Sequence, residues 1–102
     1  MEQEFIDSLK PFVERLNELT KQAHAAYKPQ VEALINSKST SNNEIELLLD
    51  YMLDFCGDSQ MLLLYKKLCR YYWDINPQAT ARYINYYREM WDNATEKNIE
   101  NE

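Results

Sequence analysis

This sequence predicts an all-α fold, a small helical bundle, on three observations. It holds a single glycine and three prolines in 102 residues, too few turn formers for a sheet protein. Its apolar residues recur at helical spacing through four segments. Each junction between segments carries a helix stop or start signal. At 45% hydrophobic residues the chain can build a real but modest core, and its length is that of one domain. The expected architecture is one long N-terminal helix, kinked near Pro29, plus three shorter helices at about 42–56, 59–74 and 77–93. Residues 1–94 form the expected domain and 95–102 a polar tail.

The first helix reads from about Glu2 to Asn36. Phe5, Ile6, Leu9, Phe12, Val13, Leu16, Leu19, Ala23, Tyr27, Val31 and Leu34 share one face at 3.6-residue spacing, with Glu14, Glu18, Lys21, Lys28 and Glu32 opposite. Ser8 reads as an N-cap that would place Pro11 in a first turn and leave residues 2–7 as a separate short turn. Pro29 is interior. The stripe stays in phase across it, which favours a kink over a break. Ser37–Asn43 is a polar loop ending in a capping box, Ser41 with Glu44 three residues on. The second helix follows. Gly57 suits a left-handed C-cap, and Asp58 or Ser59 opens the third helix. Asn76-Pro77 pairs an N-cap with proline at the first helical position of the fourth.

A helix of this length reaches roughly 40–50 Å, while the other three span about 25 Å each. One short partner cannot cover it. Either it bends or its free half packs on a second copy, so a homodimer is a live expectation.

The net charge is −6, and residues 44–58 hold Glu44, Glu46, Asp50, Asp54 and Asp58 without a basic residue. Such a chain is a poor non-specific nucleic-acid binder. Residues 59–92 reverse the balance, with Lys66, Lys67, Arg70, Arg82 and Arg88 against Asp74, Glu89 and Asp92. No apolar run approaches the roughly 20 residues of a membrane span. The start Met1-Glu2-Gln3-Glu4 does not read as a secretory signal. The expectation is a cytoplasmic protein. Cys56 and Cys69 then read as buried thiols, too far apart to bridge if their helices run antiparallel.

Catalytic apparatus is not visible. One glycine cannot build a phosphate-cradling loop. His24, the only histidine, reads as a boundary residue without a nucleophile motif beside it. Two cysteines and one histidine lack zinc-site spacing. Glu46, Asp50 and Asp54 form a carboxylate stripe opposite Ile45, Leu48 and Met52, and so are expected to face water. No cofactor, metal or enzymatic activity is expected.

The unusual signal is aromatic. Tyr71, Tyr72, Trp73, Tyr83, Tyr86, Tyr87 and Trp91 crowd on either side of Asn76-Pro77. Phasing assigns Met61, Leu64, Tyr65, Leu68 and Tyr72 to the core side of the third helix. It assigns Thr80, Tyr83, Ile84, Tyr87, Met90 and Trp91 to that of the fourth. Leu63, Trp73 and Tyr86 are left outside, amid Lys66, Lys67, Arg70 and Arg82, a composition typical of interface centres. These seven are the candidate partner-binding residues, and Glu46, Asp50 and Asp54 a candidate acidic face. The favoured function is a non-enzymatic protein–protein interaction module that binds a protein partner or itself. The alternatives are an acidic nucleic-acid mimic, of phage or mobile-element type, acting on a nucleic-acid-handling enzyme, and a weak nucleic-acid binder through the basic and aromatic surface.

Overall fold

The computed structural model describes residues 2–92. The polar tail expected at 95–102 and the end of the fourth helix at Asn93 lie outside them. The chain forms α1 (Glu2–Asn36), α2 (Asn42–Leu53), α3 (Ser59–Trp73), α4 (Pro77–Tyr87) and a closing π-helical turn (Arg88–Asp92). The helical bundle with one long N-terminal helix and three shorter ones is therefore the fold.

α3 is the hub and packs against α1, α2 and α4. Its buried face is Met61, Leu64, Tyr65, Leu68, Cys69 and Tyr72. It meets Ile45, Leu48, Leu49 and Met52 of α2 and Ala79, Thr80 and Tyr83 of α4. From α1 only Val31 and Leu34 are buried, with Ala23, Tyr27 and Ile35 packed at the edge. Each fully buried Leu, Ile or Met is worth about 1.5–3 kcal/mol, so the core lies at the C-terminal end of α1.

α1 runs unbroken through both prolines. Residues 2–7 are not a separate turn. Ser8 is an interior residue whose hydroxyl donates to the Phe5 carbonyl at 2.7 Å rather than capping a new helix. Beside Pro29, whose ring carries no N–H, the side-chain amide of Gln30 donates to the Ala26 carbonyl. α1 ends in a Schellman motif: Lys38 N–H donates to Ile35 O and Ser39 N–H to Leu34 O. The left-handed residue in that motif is Lys38, at φ 58.

Gly57 was the expected left-handed residue, and its φ is not positive. α2 stops at Leu53, short of the 56 expected, and a turn carries the chain to α3. Glycine is needed there for another reason. A Cβ on Gly57 would lie 2.8 Å from the Trp91 ring, too close for a side chain there without the indole shifting. The indole N–H of Trp91 donates to the Leu53 carbonyl at 3.0 Å, pinning the π-helical turn to the end of α2.

The caps follow the sequence with one change. Asp58 accepts from Met61 N–H and Asn76 from Ala79 N–H, both at 3.0 Å. Ser41 accepts from Glu44 N–H, but the Glu44 carboxylate does not return to Ser41. It takes the hydroxyl of Ser39 at 2.8 Å, and Ser39 Oγ in turn accepts the Ser41 N–H. The capping box is thus closed through a third residue.

The molecule is elongated, 54 × 35 × 17 Å, with a radius of gyration of 16.4 Å. A compact chain of this length has about 13 Å. The long axis matches the roughly 52 Å rise of a 35-residue helix, so α1 sets the shape.

Candidate interaction surfaces

α1 extends well beyond the helices that cover its C-terminal end. Phe5, Ile6, Leu9, Phe12, Val13, Leu16 and Leu19 are all exposed, between 40% and 67%. They lie on the face that Val31 and Leu34 continue into the core, so one amphipathic stripe is half buried and half bare. These seven follow one another along a single face of one helix, and a contiguous apolar patch of this kind marks an interaction site where single scattered exposures do not.

Where the bare half meets the bundle, a notch of about 500 Å³ opens between α1 and the α2–α3 turn. Leu16, Leu19 and Lys21 form one wall, Phe55, Gly57 and Trp91 the other, and Asp54 and Asp58 also line it. None of the bare α1 residues, nor the notch, was among the candidate site residues. The signal that pointed toward them was the length mismatch of the first helix. Phasing alone did not tell which half would be left uncovered.

The seven candidate partner-binding residues do not form one patch. Lys66, Arg70 and Trp73 gather on a groove of about 770 Å³ between α3 and α4, with Asp74, Ile84 and Asp92. Leu63, 61% exposed, and Lys67 stand on α3 outside that lining. Tyr86 is also outside the groove. Its ring meets Tyr83 edge-on at 5.4 Å and lines a shallow hollow with Leu53, Glu89 and Met90. Ile84 and Met90, expected in the core, are 41% and 47% exposed, because the α4 stripe is wider than the α3 surface that receives it.

Arg82 belongs to a different neighbourhood, near enough to Tyr72 to favour its phenolate. There the acidic stripe departs from expectation. Glu46 is half-buried, and it does not simply face water. Its carboxylate accepts the Tyr72 hydroxyl, which also reaches Asn42 at 3.0 Å. Asp50 accepts the Tyr83 hydroxyl at 2.8 Å. Asp54 is exposed. The tyrosines cross from α3 and α4 to α2, so the stripe is in part a clasp that ties three helices. Burial, and then the neighbouring Glu46, pushes the Tyr72 phenol up to about 12. Burial, and then Asp50, raises Tyr83 as well.

Two further tyrosines tie backbone. Tyr65 donates to the Tyr83 carbonyl at 2.8 Å, and Tyr71 to the Ser39 carbonyl at 2.5 Å. Tyr51, exposed on α2, stacks on Tyr27 of α1 at 6.1 Å. Cys56 and Cys69 are free and buried. Burial first, and for Cys56 also Cys69 and Asp54, pushes each thiol up to about 12, far from the reactive thiolate range.

His24 is half-buried on α1. Among the described residues no group of three or more His, Cys, Asp or Glu could hold a metal ion, and no helix is long and apolar enough to cross a membrane. No protein-family model, curated protein or solved structure matches this chain. Its own geometry is the ground for any functional reading.

Proposed function

We propose that the chain is a non-enzymatic protein–protein interaction module whose contact surface is the N-terminal half of α1, and that it associates with itself through that surface. The observation that carries this reading is the bare stripe from Phe5 to Leu19. A lone helix of about 18 residues is marginal in water, and most helical stability comes from packing an amphipathic face. A half-helix this apolar is stabilised by a partner on its exposed side.

The competing readings have less support. In the nucleic-acid mimic, Glu46, Asp50 and Asp54 stand in for phosphates, but two of the three carboxylates already accept tyrosine hydroxyls. In the nucleic-acid binder, basic residues and rings act together, but Arg82 and Tyr86 lie apart from the groove that holds Lys66, Arg70 and Trp73.

Light scattering coupled to sizing tests the proposal. At high micromolar concentration the protein is expected at a multiple of its 12.2 kDa monomer mass. The double variant Leu9→Glu, Phe12→Glu is expected at monomer mass with unchanged helicity of the remaining bundle. A wild-type chain that stays at monomer mass throughout overturns self-association.

A further inference from the structure

The groove between α3 and α4 has a cause in the sequence. Tyr65, Cys69 and Trp73 stand one turn apart along the face of α3 that lines it, and the middle side chain is small. On α4, Thr80 stands one turn before Ile84, again small beside large. Small side chains in these rows leave a hollow of about 770 Å³ where a close-packed helix pair would have none. That is the size of a small-molecule cleft. No residue of α1 lines it, so it is separate from the bare stripe.

Its buried side chains offer a ligand no free polar group. The Tyr65 hydroxyl is committed to the Tyr83 carbonyl and the Thr80 hydroxyl to the Asn76 carbonyl, both at 2.8 Å. Cys69 is a buried thiol that stays protonated. Among the described residues no buried side-chain nitrogen or oxygen lacks a hydrogen-bond partner. A sugar or a base resting there would lose hydration without return, whereas an apolar body would not. The rings of Tyr65 and Tyr87, with centroids 6.3 Å apart, join the two helices across the groove. The exposed Trp73 and Ile84 leave apolar surface for an occupant to cover.

Charge supplies the other half of the recognition. Lys66 and Arg70 are exposed and one helical turn apart on α3. Among the described residues neither is paired with a carboxylate. Arg88, also in the lining, is already engaged. Asp74 and Asp92 line the groove as well, Asp92 beside the Tyr87 hydroxyl. Two unpaired cations attract one anionic group, and the two carboxylates repel a ligand that carries further negative charge.

We propose that this groove binds a small amphiphilic monoanion, a medium-chain carboxylate, with its head between Lys66 and Arg70 and its apolar body over Tyr65, Cys69 and Ile84. The row from Lys66 to Trp73 spans roughly 10 Å along α3, which sets the length of the body.

Titration of the protein with octanoate, followed by amide NMR shifts, tests the site, with octanol as the uncharged counterpart. Saturable shifts are expected on α3 and α4 around the groove. The double variant Lys66→Gln, Arg70→Gln changes two exposed side chains, and its helicity should match the wild type. It is expected to weaken octanoate about ten-fold or more and to leave octanol unchanged. Ile84→Glu is expected to weaken both. Octanol that binds as tightly as octanoate, or a double variant that binds octanoate like the wild type, overturns the proposal. Shifts at Phe5–Leu19 in place of the groove assign the amphiphile to the α1 stripe and overturn it too, as does the absence of saturable shifts. Each of these outcomes leaves self-association to its own test.

Discussion

The two halves of α1 carry the same signal and meet different fates. From Ala23 to Ile35 the apolar stripe is covered by α2 and α3. From Phe5 to Leu19 it is bare. Helical periodicity records that a face is meant to be buried, but not whether the burying surface lies in the same chain. The difference teaches that one continuous stripe can be core at one end and bare at the other, and the proposal above reads the bare end as a surface for association.

The largest effects should divide by half. Leu68→Ala, at a fully buried position, is expected to cost about 2–5 kcal/mol of stability at every protein concentration. Leu16→Ala, at a position 63% exposed, is expected to leave dilute protein unchanged. Its cost should appear only as protein concentration rises and the dimer forms. Chemical denaturation at two concentrations distinguishes them. An equal loss for Leu16→Ala in dilute solution would show that the free half folds on the bundle.

Next comes the tyrosine clasp, which belongs only to the bundle. Tyr72→Phe keeps the ring and removes the hydroxyl that Glu46 and Asn42 accept, and is expected to cost about 1–3 kcal/mol. Because the Tyr72 phenol is raised from 10 to about 12 in the folded chain, the native state holds a proton that the unfolded state has released between those pH values. Its contribution is therefore fully present below pH 10 and is lost as pH rises through about 12. Circular dichroism against pH should show alkaline unfolding in this window, with a shallower slope in Tyr72→Phe. Exchange protection of α2–α4 should fall there together, while the free half of α1 follows dimer concentration.

Gly57→Ala should come third. The added Cβ meets the Trp91 ring at 2.8 Å, so the indole must move off Leu53. The expected cost is about 1–2 kcal/mol, typical of mild overpacking, with a red shift in tryptophan emission. Unchanged emission would sink this account of the glycine. The smallest effect runs the other way. Lys38→Gly relieves a left-handed lysine at the C-terminus of α1 and is expected to stabilise by about 1 kcal/mol in thermal melts, with no change in association.

Local chemistry was the legible part of the chain. The caps at Asp58 and Asn76-Pro77 stand where their side chains predict, because a cap needs only residues three positions apart. The core face of α3 was equally readable: Met61, Leu64, Tyr65, Leu68 and Tyr72 are all buried, since the helix is surrounded on the side its stripe marks. Glu46 is less exposed than expected, and the tyrosine contacts of Glu46 and of the exposed Asp50 were not foreseen, because a helical wheel shows which way a side chain leaves its own helix. It does not show that Tyr72 and Tyr83 arrive from two others. Gly57 was misread for the same reason, its partner being 34 positions away in sequence. The candidate patch came apart because Trp73 and Tyr86 were phased on separate helices, and nothing in either wheel gives the rotation of one helix against the other.

The sequence by itself determined that this protein is helical, where three of its helices start, which face of α3 is core, and that α1 is too long for its partners. Those properties rest on interactions within a few residues. Only the tertiary structure decided which half of α1 stays bare, that acids and tyrosines form a clasp, and that Trp91 closes a notch against Gly57 at the end of the free stripe. Those depend on contacts between residues far apart in the chain, and helical periodicity carries no information about how separate helices are placed in space.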